Sequence, residues 1–427
     1  MRSRCRVPFR SRFLRRSRLA RRAGLPLLAA APALLAGALA LVAAPPALPA
    51  GGPGAGTTER RVPVGYLELQ DDPRYDDRRM AAHLPARPWG RPFDGARVAL
   101  EESEFMAQVS GVRFELRRAA AADADGLVAA VQRLEQAGAR FVLLDLPGDA
   151  VAAVAERTRG HDLLLFNLTA LDDGLRQERC QLHLFHVAPS HAMLMDALAQ
   201  FLVRRQWRRV LVLTGPTPED AAAHAALQRA AKRFGLNVVD ARPFVLGRDP
   251  RERARNNVAL LTAGADYDVV VVVDADGEFA REVPYQLARP RPVAGAAGLV
   301  PDWWHWAWAR HGAPQLNGRF ARLAGRPMTG YDWATWMAMK ALVEAALRAR
   351  TVEPRAVAAY LVGDQVALDG FKGNRLAFRS WDRQLRQPLL LTTGDWVVER
   401  APLDGFLHAR NTMDTLGIDQ PESRCRP

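Results

Sequence analysis

Lysine is nearly missing from this 427-residue sequence: Lys232, Lys340 and Lys372 are the only three among 59 basic residues. With alanine so abundant, the imbalance reads as a compositional bias of the genome, not as a functional choice. Serine is scarce as well. Beyond residue 50 there are five, Ser103, Ser110, Ser190, Ser380 and Ser423, and none stands in a G-x-S-x-G nucleophile elbow. The sequence has no H-E-x-x-H metal-binding helix and no P-loop. GGPGAG at 51–56 follows no strand, so it reads as a linker and not as a nucleotide loop. These absences speak against a hydrolase, a zinc protease or a nucleotidase. Neither catalytic residues nor a cofactor is expected.

Acidic residues are absent from the first fifty positions, which carry ten arginines, all within the first twenty-two. An uncharged stretch follows from Leu25 to Ala50. A basic start, an apolar middle and small residues near a break are the parts of a secretory signal. Residues 1–50 are read as a signal peptide, cut after Ala50 or after Ala44. A retained anchor is the competing reading, since Leu25 to Ala44 is just long enough to span a bilayer. Pro26, Pro32 and the excess of alanine weigh against it, so no stable membrane insertion is expected after cleavage. Cys5 lies too early to carry a lipid anchor, so no lipoprotein is expected.

Removing that leader changes the charge argument. The whole chain carries +13, but loss of ten arginines leaves 49 basic against 46 acidic residues, a net of +3. A nucleic-acid partner inferred from the high isoelectric point therefore fails. Two cysteines remain, Cys180 and Cys425. An even pair in an exported protein is expected to form a disulfide; two free thiols are the alternative.

The remaining chain, 377 residues, exceeds the usual size of a single core. Its pattern is strand, helix, strand, helix. Strands are predicted at 62–69, 112–119, 141–147 and 162–168. Helices are predicted at 91–111, at 126–138 with Asp125 as cap, and around 149–159. The pattern then restarts. A helix around 191–206 leads to a strand at 209–215 and a helix at 217–235, opened by Thr217 or Pro218 and closed by Gly235. A strand at 237–246, a helix at 251–264 and a strand at 267–276 complete the set. Continuous apolar strands alternating with helices point to parallel sheets covered on both faces. The fold class is α/β, with two doubly wound lobes joined by a hinge and a small antiparallel C-terminal unit. That unit comprises NRLAFRS, QPLLLTT and WVVERA, with a Gly-Asp turn at 394–395. Helices around 332–349 and 354–362 precede it.

This order resembles the type 1 periplasmic binding proteins, the branched-chain amino-acid receptor family of ABC importers. FDGARVALEES resembles the family's first helix through Gly95, Ala96, Ala99 and Glu101 or Glu102. MTGYDWATWMAMKALVEAAL resembles its late helix through Tyr331 and Asp332. LDGFKGNRLAFRSWDRQLRQPLLL resembles its closing hairpin through Gly370, Gly373 and Phe378, but the family's last glycine is missing near Gln384 and Arg386. More narrowly, GYLELQDDPRY, APQLNGRF and PESRC resemble a branch associated with PQQ-dependent alcohol dehydrogenase systems. That association implies a periplasmic, monomeric receptor near alcohol oxidation, partnered by an ABC permease in the inner membrane. It does not imply PQQ as ligand. The resemblance places one lobe at 60–187 and 312–363, and the other at 188–311 and 364–427, with three hinge crossings.

In open α/β sheets ligands bind beyond the carboxyl ends of the strands. The candidates for contact with a small-molecule ligand are therefore Gln70, Asp145, Asn167 and Thr169 in the first lobe, and Thr214 and Asp274 in the second. Asp71, Gly148, Asp149, Thr217, Asp276 and Glu278 lie in the same loops, and Thr217 and Asp149 serve equally well as helix caps. Asn167 and Thr169 fall where the family contacts its ligand. The resemblance also implies hydroxyl groups for a ligand carboxylate, but DLPGDAVAA has none. Its acids would repel a carboxylate, so an uncharged or cationic ligand fits better.

VPDWWHWAWARHG at 300–312 concentrates four tryptophans. Trp303 and Trp304 follow the last strand-like run and are candidates for an apolar wall of the cleft, with core packing as the alternative. On a helix Trp304 and Trp308 would share a buried face. A metal is not expected. DADGE at 274–278 lacks the rest of a calcium loop, and His183 and His186 of CQLHLFH would face opposite sides of a strand.

Overall fold

A computed structural model describes residues 59–246 and 249–426. The expected signal peptide lies outside the described residues. The first sheet is built from β1 (Arg60–Leu69), β2 (Val112–Ala121), β3 (Phe141–Asp145), β4 (Leu164–Asn167) and β5 (Leu184–His186), in the order β2-β1-β3-β4-β5. All neighbours are parallel. The residues of β3 are all buried, as a strand covered on both faces requires. The covering helices include α2 (Phe93–Val109), α3 (Ala124–Gln136) and α4 (Gly148–Arg157); α1 (Asp77–Ala81), which buries none of its residues, stands in the connection between β1 and α2. Asp123, not Asp125, caps α3. Asp123 has extended backbone and accepts from the Gly126 amide at 2.8 Å, which places Asp125 already inside the first turn.

The second sheet contains β6 (Arg209–Thr214), β7 (Asn237–Pro243), β8 (Val269–Val273) and β9 (Val293–Gly295), parallel in the order β7-β6-β8-β9. Its flanking helices are α5 (His191–Arg204), α6 (Pro218–Phe234), α7 (Val258–Thr262) and α8 (Val283–Gln286). Thr217 and Asp220 form a capping box on α6, and Gly235 closes it with a left-handed backbone, φ 70°. The single helix expected at 251–264 is instead a 3₁₀ segment, Pro250–Asn256, followed by α7. Asn257 starts the new helix by accepting from the Leu260 amide at 3.0 Å.

The last third departs most from expectation. It holds β10 (Val300–Asp302), α9 (Ala313–Ala324), α10 (Gly330–Ala349), α11 (Pro354–Leu361), β11 (Leu368–Asp369), β12 (Arg375–Phe378), β13 (Leu385–Arg386), β14 (Leu389–Thr392) and β15 (Val397–Ala401). The expected antiparallel unit is two sheets, β11-β12-β13 and β10-β14-β15. They separate because β14 spends one edge on β10, pairing Val300 with Thr392 and Asp302 with Leu390. That pairing fixes Asp302 at a sheet end. Residues 303–312 form no helix, so Trp304 and Trp308 are buried side chains of a loop and not one helix face.

α10 crosses α2 at the small-residue face of the FDGARVA motif. A Cβ on Gly95 would lie 2.3 Å from the Asp332 carbonyl oxygen, so only glycine permits this approach. Asp332 forms a capping box with Thr329 and accepts two hydrogen bonds from Arg326, each 2.7 Å. The Cys180–Cys425 disulfide is present, tying the C-terminal tail to the loop between β4 and β5. Among the described residues no helix is long and apolar enough to cross a membrane.

Candidate functional site

A cavity of about 1210 Å³ opens where the β1–α2 connection meets the loops after β8, β9 and β10. That is the carboxyl end of the second sheet, facing a long connection from the first. His83, Arg87 and Trp89 come from the β1–α2 connection, Tyr285 from α8, and Trp304 and Trp306 from the loop after β10. The turn before α10, held by the Asp332 cap, supplies Met328 and Thr329. His83 and Trp89 stack with ring centres 4.7 Å apart, and Trp304 stacks on the buried Trp333 at 6.0 Å. Trp304 is thus backed by the core, whereas His83 is exposed and Trp89 half-buried.

Asp302 also lines the cavity and is only 4% exposed. Its Oδ1 accepts from the Trp303 amide at 2.6 Å and the Trp304 amide at 3.2 Å. Its Oδ2 has no hydrogen-bond partner among the described residues. Burial pushes its carboxyl up to about 6, against the two amide bonds and the charges of Lys372 and Arg87. Lys372 is fully buried behind it, 3.4 Å above the Trp333 ring, and donates to Gln387 at 2.6 Å. Burial holds the Lys372 ammonium well below its usual value. Arg87 is anchored by donation to the backbone carbonyls of Ala86, at 3.1 Å, and Asp274, at 2.7 Å.

The residues expected from strand ends are dispersed. Trp304 lines the cavity; Trp303 is wholly buried beside Tyr331, with ring centres 4.9 Å apart. Asp274 lies just beneath the cavity, where its carboxylate accepts from the Ala280 amide at 2.9 Å and the Asp276 amide at 3.1 Å. Gln70 is exposed and does not line the cavity. Thr214 is half-buried and donates to the Gly215 carbonyl. Asn167 accepts from the Thr169 and Ala170 amides, and Thr169 donates to the Leu146 carbonyl, so both shape the turn after β4. Asp145 is completely buried. It accepts from Tyr75 at 2.5 Å and Tyr66 at 3.0 Å, with Arg74 and Arg91 beside it. Burial raises its carboxyl. The acid expected to repel ligands at the first-lobe rim is therefore sealed by the chain's own residues 72–91. Asp149 is exposed and pairs with Arg179 at 3.0 Å.

Asp302, Arg87 and the aromatic segment 83–89 were not singled out by sequence. One signal was present: Asp302 directly follows an apolar run and precedes two tryptophans. The β1–α2 connection gave less warning, because RPWGRP reads as an ordinary Pro/Gly-rich loop. His183 and His186 form no metal cluster with Cys180, which is consumed by the disulfide.

Residues 85–283 match the profile of the family described as periplasmic binding protein. No curated protein matches the sequence. Among solved structures, a periplasmic binding protein from Burkholderia mallei superposes with a TM-score of 0.63 at 14% identity, covering 86% of this chain and 98% of that one. A solute-binding protein of an ABC transporter from Rhodopseudomonas palustris BisB5, in complex with 3,4-dihydroxybenzoic acid, gives 0.60 at 12% identity, with 78% and 93% covered. A branched-chain amino-acid transporter substrate-binding protein from Streptococcus pneumoniae, in complex with isoleucine, gives 0.61 at 12%, with 80% and 99% covered. At such identities the likeness is one of fold: parallel-sheet lobes of the type 1 periplasmic binding protein class.

Proposed function

We propose that this chain is a solute-binding receptor of an ABC transporter, working in the periplasm as a monomer. It captures a small organic molecule between two lobes and presents it to a permease in the inner membrane. The observation that carries this reading is the aromatic-walled cavity of about 1210 Å³ at the junction of loops from both sheets. That volume exceeds the usual range for small-molecule sites only slightly. The lobe assignment is 60–187 with 312–363, and 188–311 with 364–427. It is supported by the packing of α10 on α2 and by the pairing of β14 with β10.

The ligand contacts proposed are Trp304, Asp302, Arg87 and Trp89, with Asp274 as support for Arg87. A link to PQQ-dependent alcohol oxidation rests on sequence resemblance alone. A thermal-shift screen of alcohols, aldehydes, acids, amines and PQQ tests the reading. A ligand at 100 times its dissociation constant should add about 2.7 kcal/mol of stability. Stabilisation by none of these classes counts against a receptor. A sensing or scaffold module of the same fold remains the second reading, because fold alone does not fix function. Direct binding to the permease distinguishes the two.

A further inference from the structure

The cavity pairs one unpartnered carboxylate oxygen, on a residue only 4% exposed, with aromatic lining residues. Asp302 Oδ1 is consumed by the amides of Trp303 and Trp304, while Oδ2 is unpartnered among the described residues. An unpaired buried anion is costly, and the cost is offset when a cation arrives. Two basic groups lie near enough to act on Asp302, and neither forms an ion pair with it. The Lys372 nitrogen is engaged by Gln387 and the Trp333 ring; Arg87 donates through its two terminal nitrogens to backbone carbonyls, while its Nε has no partner among the described residues. The other titratable neighbours are Tyr331, whose hydroxyl burial keeps protonated, and two groups lining the cavity, His305, whose imidazole burial holds below its usual value, and His83. At the mouth the exposed charges are Glu278, Glu282 and Asp395 against Arg281, an acidic excess that attracts cations. Trp89, half-buried, and Trp306, 38% exposed, line the cavity as accessible aromatic rings, which favour an ammonium group over an anion.

The geometry points to an organic ammonium ion as the ligand, its charge set against Asp302 Oδ2 and its apolar part against Trp304 and Trp89. This inference rests on the receptor reading and narrows it to one ligand class. Asp302→Asn is the informative variant, because the amide oxygen can still accept from the two tryptophan amides while the charge is gone.

The experiment is calorimetric titration of wild type and Asp302→Asn with phenethylammonium, choline, 2-phenylethanol and phenylacetate at pH 7.5. Phenethylammonium or choline is expected to bind wild type at least tenfold tighter than either of the other two probes. Asp302→Asn is expected to lose at least tenfold of that affinity, with circular dichroism and melting confirming that it is folded. Equal or tighter binding of 2-phenylethanol or phenylacetate overturns the cation assignment but leaves a receptor standing. Unchanged ammonium affinity in folded Asp302→Asn also overturns it. Should Asp302→Asn fail to fold, wild-type ammonium affinity across pH 5 to 7.5 decides: it must rise with pH as Asp302 ionises, and a flat profile contradicts the inference. No binding of any probe overturns the ammonium inference, and failure of every class in the thermal-shift screen removes the receptor reading as well.

Discussion

Tyr75 illustrates how much of this fold is decided by single side chains. Its hydroxyl donates to Asp145 at 2.5 Å inside a fully buried cluster. Tyr75→Phe leaves the carboxylate short of one donor, and the expected loss of stability is about 1–3 kcal/mol in urea unfolding. Gly330 is equally constrained. A Cβ there would meet the Trp303 ring at 2.6 Å and Asp302 Oδ1 at 2.8 Å. Gly330→Ala should therefore displace Asp302 and weaken ligand binding at least tenfold, read by titration against wild type. Asp302 also makes stability depend on pH in a definite direction. Its folded carboxyl titrates at about 6, above the ordinary 3.8, so the folded state holds the extra proton between those values. Asp196, buried against Arg229 and Arg233, is raised to about 6 by burial in the same way. The contribution of both groups to stability therefore falls as pH rises from about 4 to 6. In Asp302→Asn that decline should be shallower than in wild type, measured by urea midpoints across the interval.

Elements were more legible than sites, for a physical reason. Strands such as β3 and β8 are short unbroken apolar runs, and burial on both faces demands that pattern whatever the ligand. The caps Thr217 and Gly235 announced α6 because backbone groups at helix ends need them. Asp123 was missed for Asp125 because two acids two residues apart offer the same chemistry, and only backbone angles choose. The splitting of the C-terminal strands was invisible, since β10 pairs with β14 across ninety residues and no local pattern records a distant edge. The glycine of the FDGARVA motif acquires its reason at this scale. Gly95→Val should force α2 and α10 apart and cost at least about 3 kcal/mol, or prevent soluble expression, since the obstacle is backbone and cannot yield. The tryptophan loop resolves into two roles. Trp303 and Trp304 are both fully buried, and only Trp304 of the two borders the cavity. Trp304→Ala is expected to lower ligand affinity, whereas Trp303→Ala is expected to lower stability.

At the scale of the molecule, the cavity opens at the carboxyl end of the second sheet, and of the residues that the strand-end rule singles out Trp304 and Glu278 line it. The rule assumes open strand ends. Here residues 72–91 fold over the first sheet and close Asp145 behind Tyr75 and Arg91, whose guanidinium lies 4.3 Å from the Tyr75 ring centre. The same connection also reaches the second sheet, through Arg79 to Asp276 at 2.6 Å and Arg87 to the Asp274 carbonyl. The first sheet therefore contributes to the cavity by this connection and not by its strand ends. The disulfide acts over a long span, joining residues 245 apart in sequence. Replacing both cysteines by serine should cost about 2–5 kcal/mol in equilibrium unfolding.

The central claim is that the aromatic-lined cavity is a capture site and not a reaction site. Small-angle scattering tests it most directly, with and without a saturating amount of the strongest stabiliser from the thermal-shift screen, followed by recovery of that compound. The account predicts a smaller radius of gyration with ligand, and the compound recovered unchanged. Chemical conversion of the compound, or saturation with no compaction, would contradict it.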